Sequence, residues 1–138
     1  MKVLLAYDGS DASKKALKRA IDITAKENGE LVILSVTEPV CPVSITEKEC
    51  SLLDNSLRTE TKNILDKIKT EMAKETVKVR TVVKEGVPAE EIIKFAKENK
   101  IDLVVTGSHG RHGAKKFFLG SVSLRIAERS PCSVLIAR

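Results

Sequence analysis

The chain has 138 residues, 42% of them hydrophobic, and this length suits a single domain over residues 1–138 with a core of ordinary size. No apolar run reaches the ~18 residues that cross a bilayer, and the chain does not start like a signal sequence, so we expect a cytoplasmic protein with no membrane partner. The net charge of +5 is mixed with glutamates along the helices and aromatic residues make up 3%, which disfavours a nucleic-acid partner.

The first part of the chain alternates between apolar strands and a helix. The segment Lys2–Tyr7 is almost continuously apolar, which predicts a strand buried on both faces. A first helix, capped by Ser10 or Asp11, ends at Asn28-Gly29 and leads to a second buried strand over Glu30–Val36.

Three cysteines, Cys41, Cys50 and Cys132, are an odd number without the spacing of a zinc site or of a disulfide framework. We expect all three to be thiols, and a bridge between Cys41 and Cys50 is the alternative. Cys132, just before the last predicted strand, is expected to be a small buried hydrophobic residue.

A longer second helix begins at the capping-box pattern Thr46-x-x-Glu49. Its apolar residues lie on roughly one helical face: Leu53, Leu57, Ile64, Ile68 and Met72. The following segment Val77–Lys84 alternates between apolar and polar residues, which predicts an edge strand with one partly wet face.

The last part of the chain repeats the alternation. Pro88 suits the first turn of a third helix, and Leu103–Thr106 is a third continuously apolar strand. A fourth helix over Ser121–Arg129 is stopped by Ser130-Pro131 before the last strand, Ser133–Ala137.

This order of elements predicts an α/β fold, an open, doubly wound, five-stranded parallel sheet with helices on both faces. Strand order 3-2-1-4-5 places the alternating strand at an edge. It also creates a reversal between the first and fourth strands, where ligands bind outside the carboxyl ends. The loops Tyr7–Asp11 and Gly107–Gly120 meet there.

The segment from Gly107 to Ser121, GSHGRHGAKKFFLGS, holds four of the seven glycines and both histidines. Backbone N–H groups of such a loop can converge on an anion together with the N-terminus of the next helix, which indicates a phosphate site. The glycine spacing does not fit a Walker P-loop, and AYDGSDAS in the first turn lacks the dinucleotide fingerprint and only poorly approximates a flavodoxin loop.

The motif Gly107-x2-Gly110-x9-Gly120-Ser121 resembles that of the universal stress protein family, in its ATP-binding subgroup. Further likeness lies in AYDGS, ILSVTE, EGVPAEEII, DLVVTGSHGR and PCSVLIAR, and it is weakest from Pro39 to Thr76. The resemblance implies an adenine nucleotide α-hydrolase-like fold and a cytoplasmic, homodimeric protein of the stress response that binds ATP, ADP or AMP, with Mg²⁺ held through the phosphates.

The resemblance also implies roles for ten residues. The adenine end would be lined by Ala6, Tyr7, Asp8 and Val36. The ribose and phosphates would be approached by the backbone of Gly107 and Gly110 and closed by Gly120, Ser121, Val122 and Ser123. Tyr7 is bulkier than the small residues often found at its position in the family.

Other interpretations of these residues stay open. Asp8 is also a candidate cap for the first helix, Val36 a core residue that touches a base only through its backbone, and the glycines a flexible turn. The loop cations Arg111, Lys115 and Lys116 would either bind phosphate or be solvated.

The sequence favours binding over fast turnover. No general base, arginine finger or nucleophile can be placed, so we assign no catalytic residue and no metal ligand. A slow ATPase or phosphotransfer enzyme, which would have to use His109, His112 or Asp8, is one alternative, and a dimeric scaffold without nucleotide is another. The apolar edge strand Ser133–Ala137 is the expected homodimer contact.

Overall fold

The secondary structure follows the predicted alternation in a computed structural model that describes residues 1–39, 41–109 and 119–138. Along the chain the elements are β1 (Lys2–Ala6), α1 (Asp11–Lys26), β2 (Glu30–Thr37), α2 (Glu47–Met72), β3 (Lys78–Glu85), α3 (Pro88–Glu98), β4 (Leu103–Gly107), α4 (Ser121–Arg129) and β5 (Ser133–Ala137). Where the sequence predicts a boundary, the structure agrees with it to within about two residues.

The five strands form one parallel sheet in the order β3-β2-β1-β4-β5, so the predicted fold class and strand order are confirmed. In the centre of the sheet, Leu4 of β1 pairs with Val32 of β2 and Val104 of β4, and all three are fully buried. β3 lies at one edge and is only partly buried, as its alternating sequence predicts.

The helices cover both faces of the sheet. On one face, Ala16 of α1 and Leu65 of α2 belong to a core cluster with Leu5. On the other, Ile92 of α3 and Ile126 of α4 pack in a cluster with inward-facing strand residues. In the described part of the chain, no helix has the length and apolarity that a bilayer crossing requires.

Helix α2 is longer than the sheet it covers. Its 26 residues extend about 39 Å, whereas an eight-residue strand such as β2 extends about 26 Å. Because a short connection joins the end of α2 to β3, the excess length lies at the carboxyl edge of the sheet. Leu53 and Leu57, on the predicted apolar face, lie toward this excess and are 42% and 37% exposed, whereas Ile64, also predicted on that face, is 40% exposed beside the buried Leu65.

A disulfide joins Cys41, in the segment before α2, to Cys50 of α2, and the two Cα atoms are 5.3 Å apart. The expectation that both are thiols is wrong, because the β2–α2 connection folds back onto the second turn of α2 and brings the two residues within bridging distance. Cys132 is a free thiol, half-buried against the cluster beneath α3 and α4.

Candidate functional site

A cleft of about 580 Å³ opens at the carboxyl ends of the strands, where the strand order reverses between β1 and β4. The ends of β1, β2 and β4 form its floor, and turns of α2, α3 and α4 form its walls. Nine of the ten predicted nucleotide-site residues line it: Ala6, Tyr7, Asp8, Val36, Gly107, Gly120, Ser121, Val122 and Ser123. The tenth, Gly110, lies outside the described residues.

The turn from β1 into α1 is built by Asp8, Gly9 and Ser10. Gly9 has a φ of +82°, a conformation that side chains with a Cβ rarely adopt. The Asp8 Oδ1 atom accepts a 2.9 Å hydrogen bond from the Ser10 N–H, while the Ser10 Oγ atom accepts from the Ser13 N–H at 3.1 Å. Ser10 is thus the N-cap of α1, and Asp8 shapes the turn before the helix.

The ends of β1 and β2 are tied together beneath the cleft. The buried Ser35 hydroxyl donates to the Tyr7 carbonyl at 2.6 Å, and the Tyr7 N–H donates to the Leu34 carbonyl at 2.9 Å. Tyr7 is 8% exposed and belongs to the core cluster beneath α1 and α2, so its bulk lies largely in the core. Val36, the next cleft-lining residue of β2, is half-buried.

Gly107 lies at the end of β4, against the first turn of α1. A Cβ atom at this position would lie 2.7 Å from the backbone carbonyl carbon of Ala12 and 2.8 Å from the Ala12 Cβ. Only a glycine lets helix and strand approach this closely, because ordinary carbon contacts lie at 3.5–4.0 Å. The fold therefore requires glycine here independently of any ligand.

Hydrogen bonds fix the start of α4 to the end of β4. The Gly120 N–H donates to the Ser108 carbonyl at 2.7 Å, and the Ser108 N–H donates to the Ala137 carbonyl at 2.9 Å. The buried Ser123 hydroxyl lies 3.0 Å from the carbonyl oxygens of both Ser108 and Gly120. This hydroxyl therefore holds the two ends of the glycine loop together.

The first turn of α4 borders the cleft without a side-chain cap. Gly120 is its N-cap, and among the described residues no side chain caps this helix, which also holds for α3, whereas Ser10 caps α1 and Thr46 caps α2. The first N–H groups of α4 carry the positive end of the helix dipole and have no partner within the helix. An anion bound here would satisfy them.

His109 is exposed and borders the cleft next to this turn, with its Nδ1 atom 3.0 Å from the Ser108 hydroxyl. The other basic and histidine candidates of the glycine loop, namely Arg111, His112, Lys115 and Lys116, lie outside the described residues. Among the described lining residues, Asp8 and Glu38 are the only carboxylates, and neither lysine nor arginine is present. Over residues 1–39, 41–109 and 119–138, no three metal-ligating side chains cluster.

Helix α2 also contributes to the cleft, which its sequence pattern did not predict. Leu57, Thr61 and Ile64 follow a helical spacing of four and three residues and form one wall. Their pattern is that of an ordinary core-facing helix, and the only sequence signal is that α2 is longer than the strands. With Val36 and Ile92 they give the cleft an apolar lining, and the first turn of α4 borders the same cleft.

The universal stress protein family model matches this chain over residues 1–138. Universal stress protein YxiE of Bacillus subtilis is 38% identical over 145 residues, which cover 99% of this chain and 98% of YxiE. Universal stress protein UspA from Lactobacillus plantarum superimposes with a TM-score of 0.92 at 23% identity, over 100% and 97% of the two chains. That likeness confirms the adenine nucleotide α-hydrolase-like fold.

A further solved structure is a universal stress protein in complex with cAMP. It is similar to this chain with a TM-score of 0.66 and 27% sequence identity, and the match covers 100% of this chain and 96% of that one.

Proposed function

Because this chain belongs to the universal stress protein family, we propose that it is an adenine-nucleotide-binding regulatory module of the stress response. The observation that carries the proposal is a cleft that combines apolar lining residues with the uncapped first turn of α4. A nucleotide combines the same two properties, an apolar flat base and a charged phosphate tail. The similar protein in complex with cAMP supports an adenine nucleotide as the ligand.

We place the adenine at the end lined by Ala6, Tyr7, Asp8 and Val36, with Leu57 of α2 as the opposite apolar wall. The ribose and phosphates then run past Gly107 and Gly110 to the residues 120–123. N–H groups there would bind the phosphate oxygens, and Mg²⁺ would be held through the phosphates and water. The ligand is ATP, ADP or AMP.

Binding without fast turnover is the proposed activity. The Ser123 hydroxyl is engaged with two carbonyl groups, so it is not presented as a free nucleophile. A slow ATPase or phosphotransfer enzyme is the second candidate, favoured by the exposed His109 imidazole at the cleft. Under that alternative, His109→Gln lowers the rate of phosphate release from ATP at unchanged ATP affinity.

The first test uses Ser121, the exposed first residue of α4. The change Ser121→Asp puts a carboxylate where the phosphates are proposed to bind, while acidic residues at helix N-termini stabilise the helix by about 0.3–1 kcal/mol. We therefore expect the variant to keep or raise its thermal midpoint without ligand, and to lose most of the midpoint increase that Mg-ATP gives the wild type.

Ser121→Asn is the matched neutral control, and it should keep most of the increase. Equal increases in the aspartate and asparagine variants would contradict phosphate binding at this turn. No increase in any of the three proteins would favour the scaffold without nucleotide.

We also propose that residues 1–138 act as one nucleotide-binding domain in a cytoplasmic homodimer. The dimer contact is β5, whose residues Val134, Leu135 and Ile136 are partly exposed at the edge of the sheet. Pairing with a second copy would cover this apolar edge.

A further inference from the structure

The Cys41–Cys50 disulfide joins the β2–α2 connection to α2, and both of these segments continue into residues that line the cleft. Cys41 follows Glu38, a lining residue at the end of β2, by three positions, so at most about 10 Å of extended chain separates them. Cys50 lies on α2 seven residues before Leu57, which forms the opposite wall. The bond therefore links two segments that lead, within three and seven residues, to opposite sides of the cleft.

Cys50 lies on the same helical face as the residues of α2 that line the cleft. The sequence separations from Cys50 to Leu57, Thr61 and Ile64 are 7, 11 and 14, which correspond to two, three and four turns. The distance along the axis from Cys50 to Leu57 is about 10 Å. A helix is stiff over that length, so a shift at Cys50 moves the wall.

The contacts that hold α2 against the rest of the protein are unevenly distributed along the helix. Its buried residues are Cys50, Leu65 and Met72, and the ion pair between Arg58 and Glu85 ties the middle of the helix to the end of β3. Ahead of Arg58, Cys50 is the one buried residue of the helix. The disulfide is thus the main tie that holds the first turns of α2 beside the sheet edge.

The connection before α2 depends on the same bond. Cys41, Pro42, Val43 and Ser44 are exposed, and a hydrogen bond from the Ile45 N–H to the Pro42 carbonyl closes a single turn. Cys50 is 6% exposed, so a thiol reagent reaches the bond through the sulfur of Cys41.

We infer that the Cys41–Cys50 pair is a reversible redox switch that sets the nucleotide affinity of the cleft, an inference that rests on the proposed nucleotide site. The reductant is a dithiol. Its first thiolate attacks the Cys41 Sγ atom, forms a mixed disulfide and releases the Cys50 thiolate, which takes up a proton. Its second thiol closes the reagent's own disulfide and releases Cys41 as a thiol. The protein gains two electrons and two protons, and an oxidised dithiol reverses the step.

Opening the bond frees the first turns of α2 and the connection, which nucleotide binding must then order at a cost in affinity. We expect the reduced protein to bind Mg-ATP about tenfold more weakly than the oxidised protein, a typical coupling between two sites. Because the coupling is reciprocal, nucleotide binding must also change how easily the disulfide is reduced. Mg-ATP at saturation should make the disulfide tenfold harder to reduce, which is a shift of about 30 mV for this two-electron couple.

The experiment uses the full chain with Cys132→Ser, which removes the free thiol at the opposite end of the sheet and leaves the pair intact. Mg-ATP affinity is measured by calorimetry on the oxidised protein, on the same protein reduced with dithiothreitol, and on the additional variant Cys41→Ser. Cys41 is exposed, so this variant should remain folded and bind like the reduced protein, with no response to dithiothreitol.

A tenfold difference that disappears in the Cys41→Ser protein supports the switch. Equal affinities in the oxidised and reduced proteins, or tighter binding after reduction, would overturn it while leaving the nucleotide site in place. An absence of binding in every form would overturn the proposed function as well. A redox titration with and without Mg-ATP gives a second readout, in which an unchanged midpoint alongside measurable binding also rejects the switch.

Discussion

At the scale of single residues, Gly107 lies where the end of β4 meets the first turn of α1 and also borders the cleft. The family resemblance implies that its backbone lets the ribose and phosphates approach. Its closest neighbour is Ala12, which lies 95 positions earlier in the chain, and no local pattern in the sequence reveals that contact.

We predict that Gly107→Ala destabilises the protein by about 1–3 kcal/mol, because the added methyl group overlaps the backbone of α1. Urea denaturation without nucleotide measures the loss. Gly120→Ala is the control, since Gly120 has a φ of −65° that alanine adopts freely, and it should cost about 1 kcal/mol or less. Equal losses in the two variants would contradict the close contact with Ala12.

At the scale of elements, one face of α2 packs into the core and an adjacent face borders the cleft. Leu65 is 1% exposed and belongs to the core, whereas its neighbour Ile64 is 40% exposed and borders the cleft. Sequence periodicity found this helix and its capping box, but it placed Ile64 and Leu57 on an apolar face without distinguishing a core from a ligand wall. Both environments select the same side chains, so periodicity cannot separate them.

Alanine substitutions at Leu65 and Ile64 should have different effects, the first mainly on the stability of the protein and the second mainly on its affinity for Mg-ATP. We expect Leu65→Ala to cost about 2–5 kcal/mol of unfolding free energy, because it leaves a cavity in the core. Ile64→Ala should change stability by less than about 1 kcal/mol and weaken Mg-ATP binding several-fold, through the loss of apolar contact. Calorimetric titration and urea denaturation of both variants give the comparison. Unchanged affinity in the Ile64 variant would argue against α2 as a wall of the site.

The start of α2 also carries a pH dependence. The Glu49 carboxylate accepts hydrogen bonds from the Thr46 N–H at 2.7 Å and from the Thr46 hydroxyl at 3.1 Å, and these bonds lower the pKa of Glu49 from its ordinary value of 4.5. A lowered pKa means that the contribution to stability is complete above pH 4.5 and is lost as the pH falls through the folded-state pKa.

Glu49→Gln keeps a hydrogen-bonding side chain but removes the titration. We expect the difference in stability between wild type and variant to be largest near neutral pH and to shrink below pH 4.5, as followed by denaturation at a series of pH values. A difference that stays constant across this range would show that the carboxylate charge does not contribute to the cap.

At the scale of the whole molecule, the alternation of apolar and amphipathic segments was sufficient to predict the sheet order and the position of the cleft. The reversal between β1 and β4 brings Asp8 and Gly107 to one place, although 98 residues separate them in the sequence. The disulfide could not be predicted from spacing alone, because it depends on how the β2–α2 connection folds back on the helix.

The proposed homodimer can be tested at its β5 edge. We expect the wild type to sediment as a dimer and Ile136→Lys to sediment as a monomer, because the lysine places a charge on the apolar edge strand. Leu52→Lys, at an exposed position of α2, is the control and should leave the dimer intact. A wild type that sediments as a monomer at micromolar concentration would reject this contact.

The most direct test of the nucleotide site is a pair of amide chemical-shift titrations of the isotope-labelled protein, one with Mg-ATP and one with adenosine. We predict that both ligands shift the amides of Asp8 and Val36, and that only Mg-ATP also shifts those of residues 120–123 at the start of α4. The contrary result would be an absence of shifts at millimolar nucleotide, or shifts that cluster away from the carboxyl ends of β1 and β4.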